Sequence, residues 1–142
     1  MKKINLILEK KGRQVFSVIA ATSVFDALQV MMEKNISALL IMENEKLLGI
    51  FTERDYARKL ILQGKSSKET KISEIMTPNL LTLTGNSTID QCMEIMTDKK
   101  IRHLPVLENN YVIGMISIGD VVKFIIEDQK QTIEQLESYI AS

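Results

Sequence analysis

The sequence predicts an α/β (α+β) fold built from two copies of one unit, each reading β-α-β-β-α. Three observations carry this. The chain aligns with itself: Gly49 and Gly114 lie 65 positions apart. The same shift takes Ile36 to Ile101, Leu39 to Leu104, Glu43-Asn44 to Glu108-Asn109, Thr52 to Ser117 and Asp55 to Asp120, with no gap. Each copy then passes through helical and strand-like patterning in the same order. Finally, a polar stretch from Gln63 to Lys71 separates the copies.

The elements follow in order. Residues 1–15 form an N-terminal segment that opens like a signal peptide, but its apolar run is stopped by Glu9, Lys10 and Lys11. The first repeat covers 16–62. Val24, Ala27, Leu28 and Met31 fall at i, i+3, i+4 and i+7, one face of a helix, with Ser23 and Asp26 where a cap belongs. Ala38–Met42 and Leu47–Phe51 flank a polar turn; such continuous apolar runs predict strands buried on both faces. A helix follows over 55–62, then a linker over 63–79. The second repeat covers 80–128. Its helix carries Ile89, Cys92, Met93 and Met96 behind a Thr88/Gln91 capping box, and its strands are Leu104–Leu107 and Val112–Ile116. A helix from Asp120 to about Glu137 makes 129–142 a C-terminal extension. Its Ile133, Leu136 and Ile140 form a narrow apolar stripe suited to docking on the body or on a second subunit. One repeat cannot bury its own apolar faces, so the two are expected to pack as one unit.

Composition excludes several function classes. The 142 residues carry 18 Lys+Arg and 18 Asp+Glu, without the basic excess a duplex nucleic-acid binder needs. No apolar run reaches the ~18 residues of a membrane span. Cys92 is the single cysteine, so no internal disulfide forms, and a reducing compartment, the cytoplasm, is expected. His103 is the single histidine, which removes metal sites and catalytic triads built from several histidines. HExxH, CxxC and GxSxG are absent, and Gly64-Lys65-Ser66 lacks the earlier glycine of a P-loop. The sequence predicts no catalytic residue, no metal ligand and no enzyme.

Two motifs remain. Gly49-Ile50-Phe51-Thr52-Glu53-Arg54-Asp55 and Gly114-Met115-Ile116-Ser117-Ile118-Gly119-Asp120 each run from a strand into a helix start. A Thr or Ser with Asp three residues on is an ordinary capping arrangement. Its duplication, each time behind a glycine in a strand, points further. Glycine there often marks close backbone approach by a ligand, and a carboxylate at a helix start can accept from both ribose hydroxyls. The second motif, Ile101-Arg102-His103-Leu104-Pro105-Val106, reads either as a solvated loop entering a strand or as an anion contact.

These residues resemble the cystathionine-β-synthase (CBS) domain pair. Thr52…Asp55 and Ser117…Asp120 are similar to its ribose-phosphate motif, Glu74-Ile75-Met76-Thr77-Pro78 to the start of its second repeat, and Ile101–Val106 to its basic-pair-then-LPV segment. The resemblance spans about residues 10–130. It implies two repeats packed about a pseudo-two-fold axis, with two clefts between them. One would combine Thr52, Arg54 and Asp55 with Thr82, Leu83, Arg102 and His103. The other would combine Ser117, Gly119 and Asp120 with Ser17, Val18, Ala38 and Leu39. The implied ligand is an adenine nucleotide (AMP, ADP, ATP or NAD), bound as a regulatory signal without chemistry. The implied partners are a second copy, in a homodimer, and a regulated protein. The alternatives are an interaction scaffold with vestigial clefts and an enzyme acting on nucleotides. The two copies depart from each other where Ser37-Ala38 stands in place of Arg102-His103, and where Lys11-Gly12-Arg13 stands in place of Met76-Thr77-Pro78. Phosphate-rich nucleotides should therefore prefer the Thr52/Asp55 cleft.

Overall fold

A computed structural model describes residues 2–141. Its first repeat runs β1 (Ser17–Val18), α2 (Val24–Lys34), β2 (Ala38–Glu43), β3 (Lys46–Thr52) and a short α3 (Glu53–Asp55), which continues as a π-helical turn over Tyr56–Ile61. Ahead of it stands α1 (Ile4–Lys11). Behind it come α4 (Ile72–Ile75) and β4 (Thr77–Pro78), then the second repeat: α5 (Ile89–Lys99), β5 (His103–Glu108), β6 (Tyr111–Ser117) and α6 (Ile118–Ala141).

The repeats match down to strand register. Ala38 pairs with Thr52 and Ile41 with Gly49, and 65 positions on His103 pairs with Ser117 and Val106 with Gly114. Even the irregularity recurs, between Ile41 and Met42 in one and between Val106 and Leu107 in the other. Both turns place two residues at positive φ, Asn44 and Glu45 in one and Asn109 and Asn110 in the other, a conformation that Asn adopts more readily than other non-glycine residues. The helix caps repeat too. Ser23 Oγ accepts from Asp26 N, and Thr88 Oγ1 accepts from Gln91 N, at 3.1 Å each.

The sheets differ. The first has four strands in the order β1-β2-β3-β4, and the second has only β5-β6. The counterpart of β1 is reduced to one parallel bridge, Leu83 with Val106, the shifted image of Val18 with Ile41. No counterpart of β4 is found among the described residues. In its place the end of α1 lies against β6, where Leu8 fills the space beside Gly114. Ile4, Ile7 and Leu8 are buried with Leu104, Val106, Ile116 and Phe124 in the second repeat's core. The N-terminal segment thus belongs structurally to the second repeat, though the sequence joins it to the first. Likewise β4, inside the 63–79 stretch read as a linker, is an edge strand of the first sheet.

Each repeat has its own core behind the sheet, and a third cluster joins them. Ala38, Leu40 and Ile50 are buried there among Val15, Leu80, Val112 and Met115. Alternate residues of β2 serve the two sides: Leu39 and Ile41 enter the first core, while Ala38 and Leu40 enter the interface. That explains the uninterrupted apolar run.

Candidate functional site

A cleft of about 720 Å³ opens between the start of α3 and the Lys99–His103 segment of the second repeat. Thr52 and Asp55 sit on its first-repeat wall because they form the helix cap. Thr52 Oγ1 accepts from Asp55 N at 3.3 Å, and Asp55 Oδ2 accepts from Thr52 N at 3.0 Å. Thr52 Oγ1 also lies 3.2 Å from Oδ2. The other carboxylate oxygen, Oδ1, accepts from Thr77 Oγ1 at 2.9 Å and pairs with Lys59 Nζ at 3.1 Å. Asp55 is only 7% exposed. A carboxylate offers about four acceptor positions, and four contacts already reach this one. Lys59 Nζ also donates to Thr77 Oγ1 at 3.2 Å and to the Met76 carbonyl at 3.5 Å, and 42% of its side chain is exposed.

The opposite wall carries Arg102 and His103. His103 Nε2 lies 3.2 Å from Ser37 Oγ, so the residue on β5 touches the residue just before β2. Burial lowers the His103 pKa, and Lys11 and Arg102 lower it further against the opposing carboxylates of Asp120 and Glu53. The imidazole is therefore neutral near pH 7. Arg54 reaches across the cleft and donates to the Lys100 carbonyl at 3.3 Å. The lining includes six cations (Arg54, Arg58, Lys59, Lys99, Lys100 and Arg102) against two carboxylates, Glu53 and Asp55. A basic, partly enclosed space of this kind suits a phosphate-bearing ligand.

Of the residues expected in this cleft, Thr52, Arg54, Asp55, Arg102 and His103 line it. Thr82 and Leu83 do not: Leu83 is 3% exposed within the second core, and Leu80 and Leu81 take the lining positions. Arg58, Lys59, Thr77, Lys99 and Lys100 also line the cleft and were not among the residues the sequence pointed to. Lys59 was legible as the i+4 neighbour of Asp55 on a helix. Thr77 requires knowledge that β4 joins the first sheet.

The second cleft is built differently. Ser117 Oγ accepts from Asp120 N at 3.1 Å, and Asp120 Oδ2 accepts from Ser117 N at 2.8 Å, repeating the cap. Asp120 is then held by Lys11, whose Nζ donates to Oδ2 at 2.7 Å and to the Met115 carbonyl at 2.7 Å. Burial would raise the Asp120 pKa, but the bonds from Lys11 and Ser117 outweigh it and hold the carboxyl below its usual range. Lys11 occupies the position that the 65-residue shift assigns to Met76. The adjoining cavity is about 310 Å³ and is lined by Asp120 with Lys10, Lys11, Lys123, Phe124 and Glu127. Ser117, Gly119, Ser17, Val18 and Ala38 do not line it. Val18 packs on the first core, Ala38 is buried between the repeats, and Ser17 and Gly119 are exposed.

The strand glycines serve the fold and not a ligand. A Cβ on Gly49 would lie 2.7 Å from Met76 Sδ and 2.8 Å from the Thr77 carbonyl. One on Gly114 would lie 2.6 Å from Leu8. The close approaches come from β4 and α1. Cys92 is fully buried, and burial pushes its thiol up to about 11, so it is an inert packing residue. Among the described residues no group of three or more His, Cys, Asp or Glu could hold a metal ion, and no helix is long and apolar enough to cross a membrane.

This architecture, two register-matched β-α-β-β-α units enclosing clefts at their helix starts, is that of a CBS domain pair. The CBS domain family model matches residues 12–62 and again 72–127, and the chain belongs to that family. It is 43% identical over 123 residues to the mitochondrial CBS domain-containing protein CBSX3 of Arabidopsis thaliana, covering 83% of this chain and 60% of that protein. The chain thus spans about three-fifths of that relative, and about a fifth of the larger Arabidopsis CBSCBSPB proteins. Among solved structures, a CBS-domain protein from Burkholderia ambifaria MC40-6, provisionally assigned to signal transduction, matches with TM-score 0.86 and 44% identity over 90% of this chain and 96% of that one. A CBS-domain protein from Agrobacterium tumefaciens matches with TM-score 0.82 and 41% identity over 86% and 98%. The CBS domain pair of protein MJ0100, solved with 5′-methylthioadenosine and S-adenosylmethionine, matches with TM-score 0.79 and 25% identity over 90% and 98%.

Proposed function

We propose that this chain is a regulatory module that binds one adenine nucleotide in the Thr52/Asp55 cleft and does not transform it. The observation that carries the reading is the pairing of a capped aspartate with six cations in one 720 Å³ space between the repeats. Asp55 serves the ribose hydroxyls, which displace Lys59; the freed ammonium then turns to phosphate. Arg102 and His103 meet the phosphates from the far wall, joined by Arg54 once it leaves the Lys100 carbonyl. A guanidinium suits that task because it makes paired, charge-assisted bonds to phosphate oxygens. AMP, ADP, ATP and NAD all present the adenosine phosphate this arrangement asks for. The adenosine-type ligands of MJ0100 support the class.

The second cleft is self-occupied. Lys11 stands where a ribose would meet Asp120, so we assign one nucleotide per chain. Because the nucleotide bridges both repeats, its binding stiffens their interface, and that change is the signal a regulated partner would read. The module carries its function in a reducing compartment, the cytoplasm or an organelle matrix.

Calorimetric titration with ATP, ADP, AMP, NAD and adenosine tests this, with chromatography of the nucleotide after incubation. Binding of a phosphorylated adenosine at one site per chain, with the nucleotide recovered intact, is expected. Nucleotide turned over would make the protein an enzyme, and no binding at all would leave a scaffold with vestigial clefts.

A further inference from the structure

We propose that the π-helical turn over Tyr56–Ile61 gives the first cleft a cation from its own helix, and that Lys59, delivered by this turn, determines a preference for phosphorylated over unphosphorylated adenosine. The second half rests on the nucleotide reading above; the first half does not. The 65-position shift carries Tyr56 to Val121, Lys59 to Phe124 and Leu60 to Ile125. The two stretches nevertheless coil differently. α6 is α-helical throughout, with Val121 and Phe124, three residues apart, buried in the second core. In the first repeat the turn widens: the Leu62 N–H bonds to the Ala57 carbonyl, five residues back, at 3.1 Å. There Tyr56 and Leu60, four residues apart, pack in the first core.

The residue at the Phe124 position explains the difference. In an α-helix position 59 shares a face with position 56, so regular coiling would aim Lys59 at the core as it aims Phe124. An ammonium taken from water without a partner costs far more than one widened turn. Adding a residue to the turn seats Leu60, 1% exposed, in the core and rotates Lys59 off it. Lys59 Nζ then meets Asp55 Oδ1, Thr77 Oγ1 and the Met76 carbonyl on the cleft wall. Single π turns gather at functional sites, and this one begins at the residue after the aspartate. In the second repeat Phe124 points inward, and the lysine that meets Asp120 comes from α1 instead. A nucleotide whose ribose is gripped at Asp55 brings its phosphate into the space that Lys59 and Arg102 both line. Adenosine brings no charge there, so the ammonium acts on one ligand and not on the other.

The test is Lys59→Phe, which gives the first repeat the residue of the second. Lys59→Met serves as an apolar variant closer to lysine in shape, and Lys59→Arg as the conservative one. The acceptor of the Leu62 N–H is read from scalar couplings across the hydrogen bond or from a crystal structure. It should move from Ala57 to Arg58 in the Phe and Met variants and stay at Ala57 in Lys59→Arg. In calorimetry ATP affinity should fall roughly tenfold in Lys59→Met while adenosine affinity stays within about twofold, and Lys59→Arg should bind both as wild type does. A Leu62 N–H still bonded to Ala57 in both apolar variants would overturn the origin of the turn. Equal losses for ATP and adenosine, or no loss for either, would overturn the role of Lys59. Were the wild-type protein to bind no adenosine compound, the nucleotide reading would fall and the role of Lys59 with it, while the Leu62 bond would still decide the origin of the turn.

Discussion

The two clefts of this protein start from the same cap and end with different electrostatics. In each, a Thr or Ser hydroxyl accepts from the backbone of an aspartate three residues on, and the aspartate returns the bond. Beyond the cap, neighbours decide. Asp55 faces a lysine of its own helix turn, which also contacts Thr77 and the Met76 carbonyl, across from a wall of cations supplied by the other repeat. Asp120 faces a lysine from α1, anchored by a helix whose Ile4, Ile7 and Leu8 are buried in the core. Duplication therefore preserves the backbone scaffold while the segment preceding each repeat sets what the aspartate can do. In the first sheet that segment follows α4 as strand β4; against the second it is a helix ending in Lys11.

The largest effect should come from removing the Arg102–His103 pair that only one cleft has. Arg102→Ala with His103→Ala should weaken ATP by about 3 kcal/mol, roughly a hundredfold, since bonds to charged groups are worth about 1.5–3 kcal/mol each. Adenosine should lose less than about threefold, as it presents no phosphate. Calorimetry with both ligands reads the difference; equal losses would mean the pair acts on the fold and not on phosphate.

Next is the aspartate itself. Asp55→Ala should reduce nucleotide affinity by about 1.5–3 kcal/mol, while Asp120→Ala should leave it within about twofold. Asp55→Ala also removes the carboxylate half of the capping box, the bond Asp55 Oδ2 accepts from Thr52 N, while Thr52 keeps its bond from the backbone N–H of residue 55; the cost in folding stability is about 1 kcal/mol. Asp55→Asn, which keeps one acceptor oxygen, separates the two contributions when melting temperature and affinity are measured together. Comparable affinity losses at Asp55 and Asp120 would erase the distinction between the clefts.

The repeat, the order of elements and the cap residues were legible because they depend on local chemistry and recur 65 positions apart. Arg102 and His103 were legible as a basic pair ahead of an apolar strand. What escaped depends on distant parts of the chain. Ile4, Ile7 and Leu8 have helical spacing, but nothing local says that the helix crosses to the second repeat. Thr77 and Lys11 reach their aspartates only because one flanking segment forms a strand and the other a helix. Gly49 and Gly114 were read as room for a ligand, and they are room for Met76 and Leu8. A glycine reports that something approaches closely, and its sequence cannot say what. The family resemblance implies Thr82 and Leu83 on the cleft wall, yet Leu83 turns into the core.

Lys11→Met tests whether the second cleft is closed by that one ammonium. It should free Asp120 and raise the nucleotide stoichiometry from one toward two per chain, the second site being weak because it lacks the Arg102 side. The same variant has a pH signature. In the folded protein the Asp120 pKa lies below its unfolded value. The associated stability is present above the unfolded pKa, near 3.9, and is lost as pH falls through the folded one. Wild type should therefore exceed Lys11→Met in melting temperature near neutral pH, and the gap should narrow in acid. A gap unchanged by pH would assign the Lys11 contribution to packing of its stem.

The smallest expected effect belongs to His103, and it links the clefts to pH. Its folded pKa lies below the usual 6.5, chiefly through burial. The unliganded fold therefore favours the neutral ring. That contribution is complete above about pH 6.5 and is lost as pH falls, because the unfolded chain takes up a proton that the folded one resists. A bound phosphate reverses the preference: an anion beside the ring favours the imidazolium and raises its pKa. Nucleotide binding should then take up a fraction of a proton near neutral pH. ATP affinity should rise modestly, within about tenfold, between about pH 8 and pH 6. Adenosine affinity should stay level, since no phosphate reaches the ring. Calorimetry in buffers of different ionisation enthalpy measures the proton directly, and His103→Gln should abolish the uptake while leaving the Arg102 contact in place. Proton uptake persisting in that variant would move the titrating group elsewhere, to the ATP phosphates themselves, and would remove His103 from the phosphate side of the cleft.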